Sequence, residues 1–231
     1  WLTWCNAPSH SCSWRCIWFS ILSFFTLLER SIVPTVIFHC ALDDMIPFVK
    51  YAIIPYYLWF GWIVCTLFWL LWFAPKREFW RLCLPLFAGM TLSLMFCAIV
   101  PNGVSLRPAA IEGTDIFSTL VRGLWSADTS TNVCPSIHVF NSVTLDMAFQ
   151  RSTLLAKPKY RLVRWSAHLL DVSIVLSTML LKQHSVIDVV CGIVLAIVLD
   201  RAATAVSVML ERRPAVLAPA AEQPHAALEH E

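Results

Sequence analysis

Residues 49–73 and 79–100 form two nearly unbroken apolar runs, and a third covers 185–210. Each matches or exceeds the length of about 20 residues that a helix needs to cross about 30 Å of hydrocarbon. Inside a bilayer every backbone N–H and C=O must be bonded within the chain, so stretches of this kind fold as helices or as closed barrels, and runs this long are helical. The composition agrees. Of 231 residues 58% are apolar and only 14% charged, with 11 Trp and 14 Phe. Soluble domains are about 45–50% apolar and about 25% charged. One globular core does not need that excess, which excludes a nucleic-acid-binding protein, a disordered scaffold and a small secreted disulfide module. A net charge of +2 is too small to select a polyanionic partner.

The chain therefore reads as an all-α, polytopic membrane protein with a six-transmembrane-helix bundle. An N-terminal segment (1–13) precedes a membrane domain over 14–210, and a tail over 211–231 has the composition of disordered chain and an Ala-Leu-Glu-His ending resembling a vector remnant. The six spans fall at 14–28, 49–73, 79–100, 136–155, 165–181 and 185–210. The first is short and is followed by a Pro-broken interfacial stretch over 31–48, and 101–135 is the longest polar connection. The fourth and fifth are the least apolar and carry Asp146 and Asp171, which bundle-facing positions tolerate. Alternate loops collect Arg15 and the basic residues of 76–81, 151–164 and 201–213 on one side, against Arg30, Lys50, Arg107, Arg122 and Lys182 on the other. The positive-inside rule makes both termini cytoplasmic and turns the 101–135 loop outward. The nine Cys lie mostly in apolar runs and read as small apolar side chains; Cys40 and Cys134 fall on one side of the membrane, which permits a disulfide that nothing else in the sequence supports.

Polar groups that persist at membrane depth mark functional sites by default. Three clusters lie on the outward side: Leu106-Arg107-Pro108, then Pro135-Ser136-Ile137-His138, then Ser177-Thr178 with Lys182-Gln183-His184 and Asp188. In a helix starting near His184, Asp188 stands one turn along the same face. A carboxylate there holds one imidazole nitrogen protonated and leaves the other nucleophilic. His138, on a facing element, is placed as general acid for a leaving oxygen. Arg107 offers a bidentate fork to phosphate, and Ser136 with the amides opening the fourth helix offers hydrogen bonds and a positive dipole end. Singly, each spacing has an ordinary structural explanation. Together they describe phosphoryl transfer through a phosphohistidine.

In the order Arg-Pro, Pro-Ser-x-His and Ser-x6-His-x3-Asp, these motifs make the chain resemble the type-2 phosphatidic acid phosphatase superfamily, which includes lipid phosphate phosphatases and inositol phosphorylceramide and sphingomyelin synthases. The likeness covers roughly 43–200, including the Ile46 to Trp59 stretch. It implies a six-helix membrane fold with an outward site, His184 as nucleophile, Asp188 as its orienter and His138 as acid/base. Arg107, Ser136 and the Ile137 amide are implied phosphate ligands, with Lys182 and Ser177 beside them, and no metal or other cofactor is implied. The chain departs from the family pattern at three positions: Val100 stands for Lys, Thr178 for Arg and Ile137 for Gly. The expected activity is that of an integral-membrane lipid-phosphate phosphatase in the cell membrane. The alternative is a lipid phosphotransferase that moves a phospho-head group to an acceptor lipid, which Pro-Ser-Ile-His favours. Val100 and Thr178 favour a catalytically silent lipid-phosphate binder. The lipid itself is not encoded in these motifs.

Overall fold

A computed structural model describes residues 33–212 of the chain. Among them are seven α-helices: α1 (Ala41–Met45), α2 (Ile53–Phe73), α3 (Lys76–Ile99), α4 (Ile116–Ala127), α5 (Ile137–Arg151), α6 (Arg161–Leu180) and α7 (Val186–Arg212). Two short strands, β1 (Val36–Ile37) and β2 (Asn102–Gly103), pair in parallel. The predicted all-α architecture is present. Three segments have the length and apolarity to cross a membrane, Lys50–Phe73, Lys76–Ile99 and Val186–Met209, and they correspond to the second, third and sixth expected spans.

The expected count of six is not reached among the described residues, for identifiable reasons. The 14–28 span and most of the tail lie outside them. The fourth span stops as a helix at Arg151, and its 15 residues rise only about 22 Å. The fifth is 20 residues long, but Arg161, Arg164, His168 and Asp171 dilute it. Both can carry polar groups because of where they sit. Helix α5 packs against α2, α3, α6 and α7, so protein rather than lipid surrounds Asn141, Ser142, Thr144 and Asp146, all buried.

The core follows from the same arrangement. Trp59, Ile63 and Leu70 of α2 meet Phe79, Leu82 and Cys83 of α3, Leu145 of α5 and Ile174 of α6. Phe60, Val64, Phe68 and Trp72 face outward, on a helix long and apolar enough to cross a membrane. Two glycines permit close approach: a Cβ on Gly89 would fall 2.0 Å from the buried Phe140 ring, and one on Gly192 would fall 2.9 Å from Ser136 O. The second contact brings the start of α5 against the first turns of α7.

The 101–135 connection is not merely a polar loop. Asp115 accepts hydrogen bonds from the Phe117 and Ser118 amides and caps α4, whose Val121 and Leu124 pack with Ile53, Tyr56 and Leu181. Cys40 and Cys134 are free thiols, so the disulfide is not formed.

Candidate active site

The first turn of α7 is fixed by a reciprocal cap. The Ser185 amide donates to Asp188 Oδ2 (2.9 Å), and the Ile187 amide donates to Ser185 Oγ (3.2 Å). Asp43 of α1 adds a second carboxylate: it accepts from Ser185 Oγ (2.7 Å), the Val186 amide (2.8 Å) and the Cys40 amide (2.9 Å). Burial pushes the Asp43 carboxyl up, but these hydrogen bonds outweigh it and hold it below its ordinary range. Two carboxylates at one helix N-terminus match the positive end of its dipole, and they lock the backbone directly after His184.

His184 is buried, with 7% of its surface exposed. Its Nδ1 lies 3.6 Å from Asp188 Oδ2, one turn away as the spacing predicts. That separation is just beyond a hydrogen bond, and neither His184 Nδ1 nor Asp188 Oδ1 has another hydrogen-bond partner. Such pairs commonly tighten only when substrate binds.

The second histidine comes from α5. Ser136 caps that helix by accepting from the Val139 amide (3.3 Å), and its own amide donates to Asp188 O (3.2 Å). This backbone link ties the start of α5 to the first turn of α7. The His138 and His184 rings lie 5.8 Å apart. His138 rests on Trp59, ring centroids 4.2 Å apart, and its Nε2 is 2.9 Å from Tyr56 Oη. Tyr56 Oη donates to Asp128 Oδ2 (2.7 Å), and Gln183 Nε2 donates to the same oxygen (3.0 Å). Tyr56 has one proton and spends it on Asp128, so its oxygen accepts from His138 Nε2–H. Asp128 thereby reaches His138 through Tyr56.

Arg107 stands behind this network. Its guanidinium donates to Trp125 O (3.0 Å), Asp128 O (2.6 Å) and Gln183 Oε1, and it lies 5.3 Å from the Trp125 ring. Gln183 therefore couples Arg107 to Asp128.

A cavity of about 530 Å³ brings these groups together. Ile137, His138, Gln183, His184 and Asp128 line it, beside apolar walls from Trp59, Phe60 and Val64. Ser136 and Asp188 sit behind its lining, and Arg107 contacts it through Gln183. Two expected phosphate ligands are directed elsewhere. Lys182 adopts a left-handed φ of 56° and donates to Asp43 O (2.8 Å) and Ile46 O (2.5 Å). Ser177 Oγ donates to Ile174 O in its own helix, and Thr178 does likewise to Val175 O.

Tyr56, Asp128 and Asp43 were not picked out from the sequence. Tyr56 sits in an apolar run where an aromatic residue is ordinary. Asp128 carried a usable signal, an acid directly after an amphipathic segment and ahead of the Pro-Ser-x-His motif. Asn102 also escaped notice: its Oδ1 accepts from the Val133 and Cys134 amides (3.0 and 2.9 Å) and so sets the chain that leads into Ser136.

No curated protein and no solved structure matches the chain. Residues 82–212, more than half of its length, match the PAP2 superfamily. This region holds Arg107, Ser136, His138, His184 and Asp188. Members of that superfamily are phosphatases or phosphotransferases. The chain belongs to the PAP2 superfamily and to its phosphoryl-transfer enzymes.

Proposed function

We propose that this protein is a lipid-phosphate phosphatase that works through a phosphohistidine on His184. The observation that carries the reading is the placement of both imidazoles on one cavity, rings 5.8 Å apart, with a buried carboxylate one turn behind His184. His184 Nε2 attacks phosphorus while Nδ1–H turns to Asp188, which stabilises the imidazolium form. The P–O bond to the leaving group breaks, and His138 gives that oxygen a proton. Water then attacks the phosphohistidine, with His138 taking its proton, and inorganic phosphate leaves. The Ile137 amide would receive the phosphate oxygens, joined by Arg107 once released from Gln183 and by the Ser136 hydroxyl once it is uncovered from behind the cavity lining. The apolar walls from Phe60 and Val64, continuous with the outward face of α2, suit the acyl chains of a membrane lipid. By the positive-inside rule the cavity faces the extracytoplasmic side and both termini are cytoplasmic.

One observation favours transfer to a second lipid instead. Among the described residues lining the cavity there is no Lys or Arg, and Asp128 is there. A phosphodiester carries one negative charge and a phosphomonoester up to two, so such a lining disfavours the monoester dianion. A phosphodiester donor with a lipid hydroxyl as acceptor fits that balance.

The experiment uses purified protein in mixed micelles with lipids labelled at phosphorus, with and without acceptor lipids. Label released as inorganic phosphate by wild type and not by His184→Ala supports the phosphatase. Label moving to a second lipid selects the phosphotransferase. Equal turnover in His184→Ala would overturn both.

A further inference from the structure

A second polar cluster lies away from the cavity, between α5 and α6. Asp146 is eight residues beyond His138 on α5, about 12 Å along the helix. Opposite it on α6, His168 and Asp171 are three residues apart and share one face. The ligand-type atoms of Asp146, His168 and Asp171 all lie within 4.8 Å of one another. Both Asp residues are 6% exposed, while half of the His168 side chain is exposed.

Further observations describe a built site rather than a chance meeting of polar groups. Gln150 Nε2 donates to Asp146 Oδ1 (2.9 Å), and Gln150 is itself held by Arg164, whose Nε donates to Gln150 Oε1 (3.1 Å). That orients Asp146 from behind, as outer-shell partners do at metal centres. Asp146 Oδ2 then faces His168 Nδ1 at 2.7 Å. Asp171 Oδ1 is buried and has no hydrogen-bond partner. An unpaired buried carboxylate costs free energy unless a cation or a proton neutralises it, and a second carboxylate beside it raises that cost. A crevice lined by Gln150, Arg161, Arg164, Trp165 and His168 opens beside the imidazole.

We propose that Asp146, His168 and Asp171 bind a divalent transition-metal ion, a structural or regulatory centre separate from the His138–His184 cavity. Two carboxylate oxygens and one imidazole nitrogen suit Mn²⁺ or Zn²⁺, with water in the remaining positions. The ion neutralises the two buried carboxylates and clamps α5 to α6. Binding displaces the proton shared between His168 and Asp146 to solvent.

The probe is Mn²⁺, which carboxylates favour and the free thiols of this chain do not. Full-length protein in detergent micelles, stripped with a chelator, is titrated with Mn²⁺ while the free-ion EPR signal is followed. One ion per chain is expected, with ¹⁴N coupling from a coordinated imidazole, which is read on the wild type and needs no variant. His168→Gln and Asp171→Asn are each expected to lower affinity about tenfold or more, and His184→Ala to leave it unchanged. Absence of stoichiometric uptake, absence of nitrogen coupling, or wild-type affinity in either His168→Gln or Asp171→Asn would overturn the proposal.

Discussion

Replacing Tyr56 by Phe removes one oxygen from the middle of the chain that runs from Asp128 to His138. The change is nearly isosteric. Tyr56 is fully buried, its ring packs 4.8 Å from the His138 ring, and Phe keeps that contact. What disappears is the 2.7 Å bond to Asp128 and the 2.9 Å bond to His138. Asp128 Oδ2 still accepts from Gln183, so the carboxylate remains partly satisfied. His138 Nε2–H has no such reserve. An orphaned buried donor costs about 1–3 kcal/mol, and the ring is then free to turn its proton away from the leaving group. If that cost falls on the transition state, kcat drops about 5- to 140-fold, since each 1.4 kcal/mol is tenfold. The assay is single-turnover release of labelled phosphate, followed over pH. Asp128→Asn should act through the same hydroxyl, so the double variant should lose far less than the product of the two single losses. A Tyr56→Phe enzyme with wild-type kcat and pH profile, or fully multiplicative losses, would refute the relay from Asp128 to His138.

Other consequences follow from neighbouring contacts. Gly192→Ala places a Cβ 2.9 Å from Ser136 O; prying α5 from α7 should lower kcat at least tenfold with the fold retained, checked by activity beside a thermal melt. Arg107→Lys keeps the charge but cannot span Trp125 O, Asp128 O and Gln183 Oε1 together, so KM should rise several-fold, and unchanged kinetics would remove Arg107 from the site. The Asp43 carboxyl titrates below its ordinary value of about 3.9, so its contribution to stability is present above that pH and is lost as pH falls through the lower folded value. Thermal stability of the wild type should therefore fall more steeply than that of Asp43→Asn on acidification below about pH 4; parallel curves would count against the cap.

Much of the fold was legible because the bilayer imposes a simple length rule. Helices α2, α3 and α7 fall where the apolar runs place them. Helices α5 and α6 were found but not measured correctly, because burial within the bundle decides what polarity a helix can bear, and neighbours are invisible in a hydropathy profile. Helix α4 hid in a segment read as polar connection, although its Asp115 cap is a local signal. In the site, the His184–Asp188 pair was readable because the two are four residues apart, with Asp188 in the first turn of α7 and His184 just ahead of its Ser185 cap. The partnership of Tyr56 with His138 was not, since the two are 82 residues apart and meet only through packing. Lys182 shows how far backbone geometry can redirect a side chain. Its place beside His184 suggested a phosphate ligand, but a left-handed backbone turn delivers its ammonium to the carbonyls of Asp43 and Ile46. It holds the α1 segment, whose Asp43 in turn caps α7.

A phosphorus covalently attached to His184 can be captured by acid-free quenching. Protein mixed with lipid labelled at phosphorus, stopped within one turnover and digested, should yield label on the peptide containing His184. That label should be stable to base, labile to acid, absent from His184→Ala and longer-lived in His138→Ala. Turnover by the wild type with no label on this peptide, or equal labelling of His184→Ala, would rule out a phosphohistidine on His184.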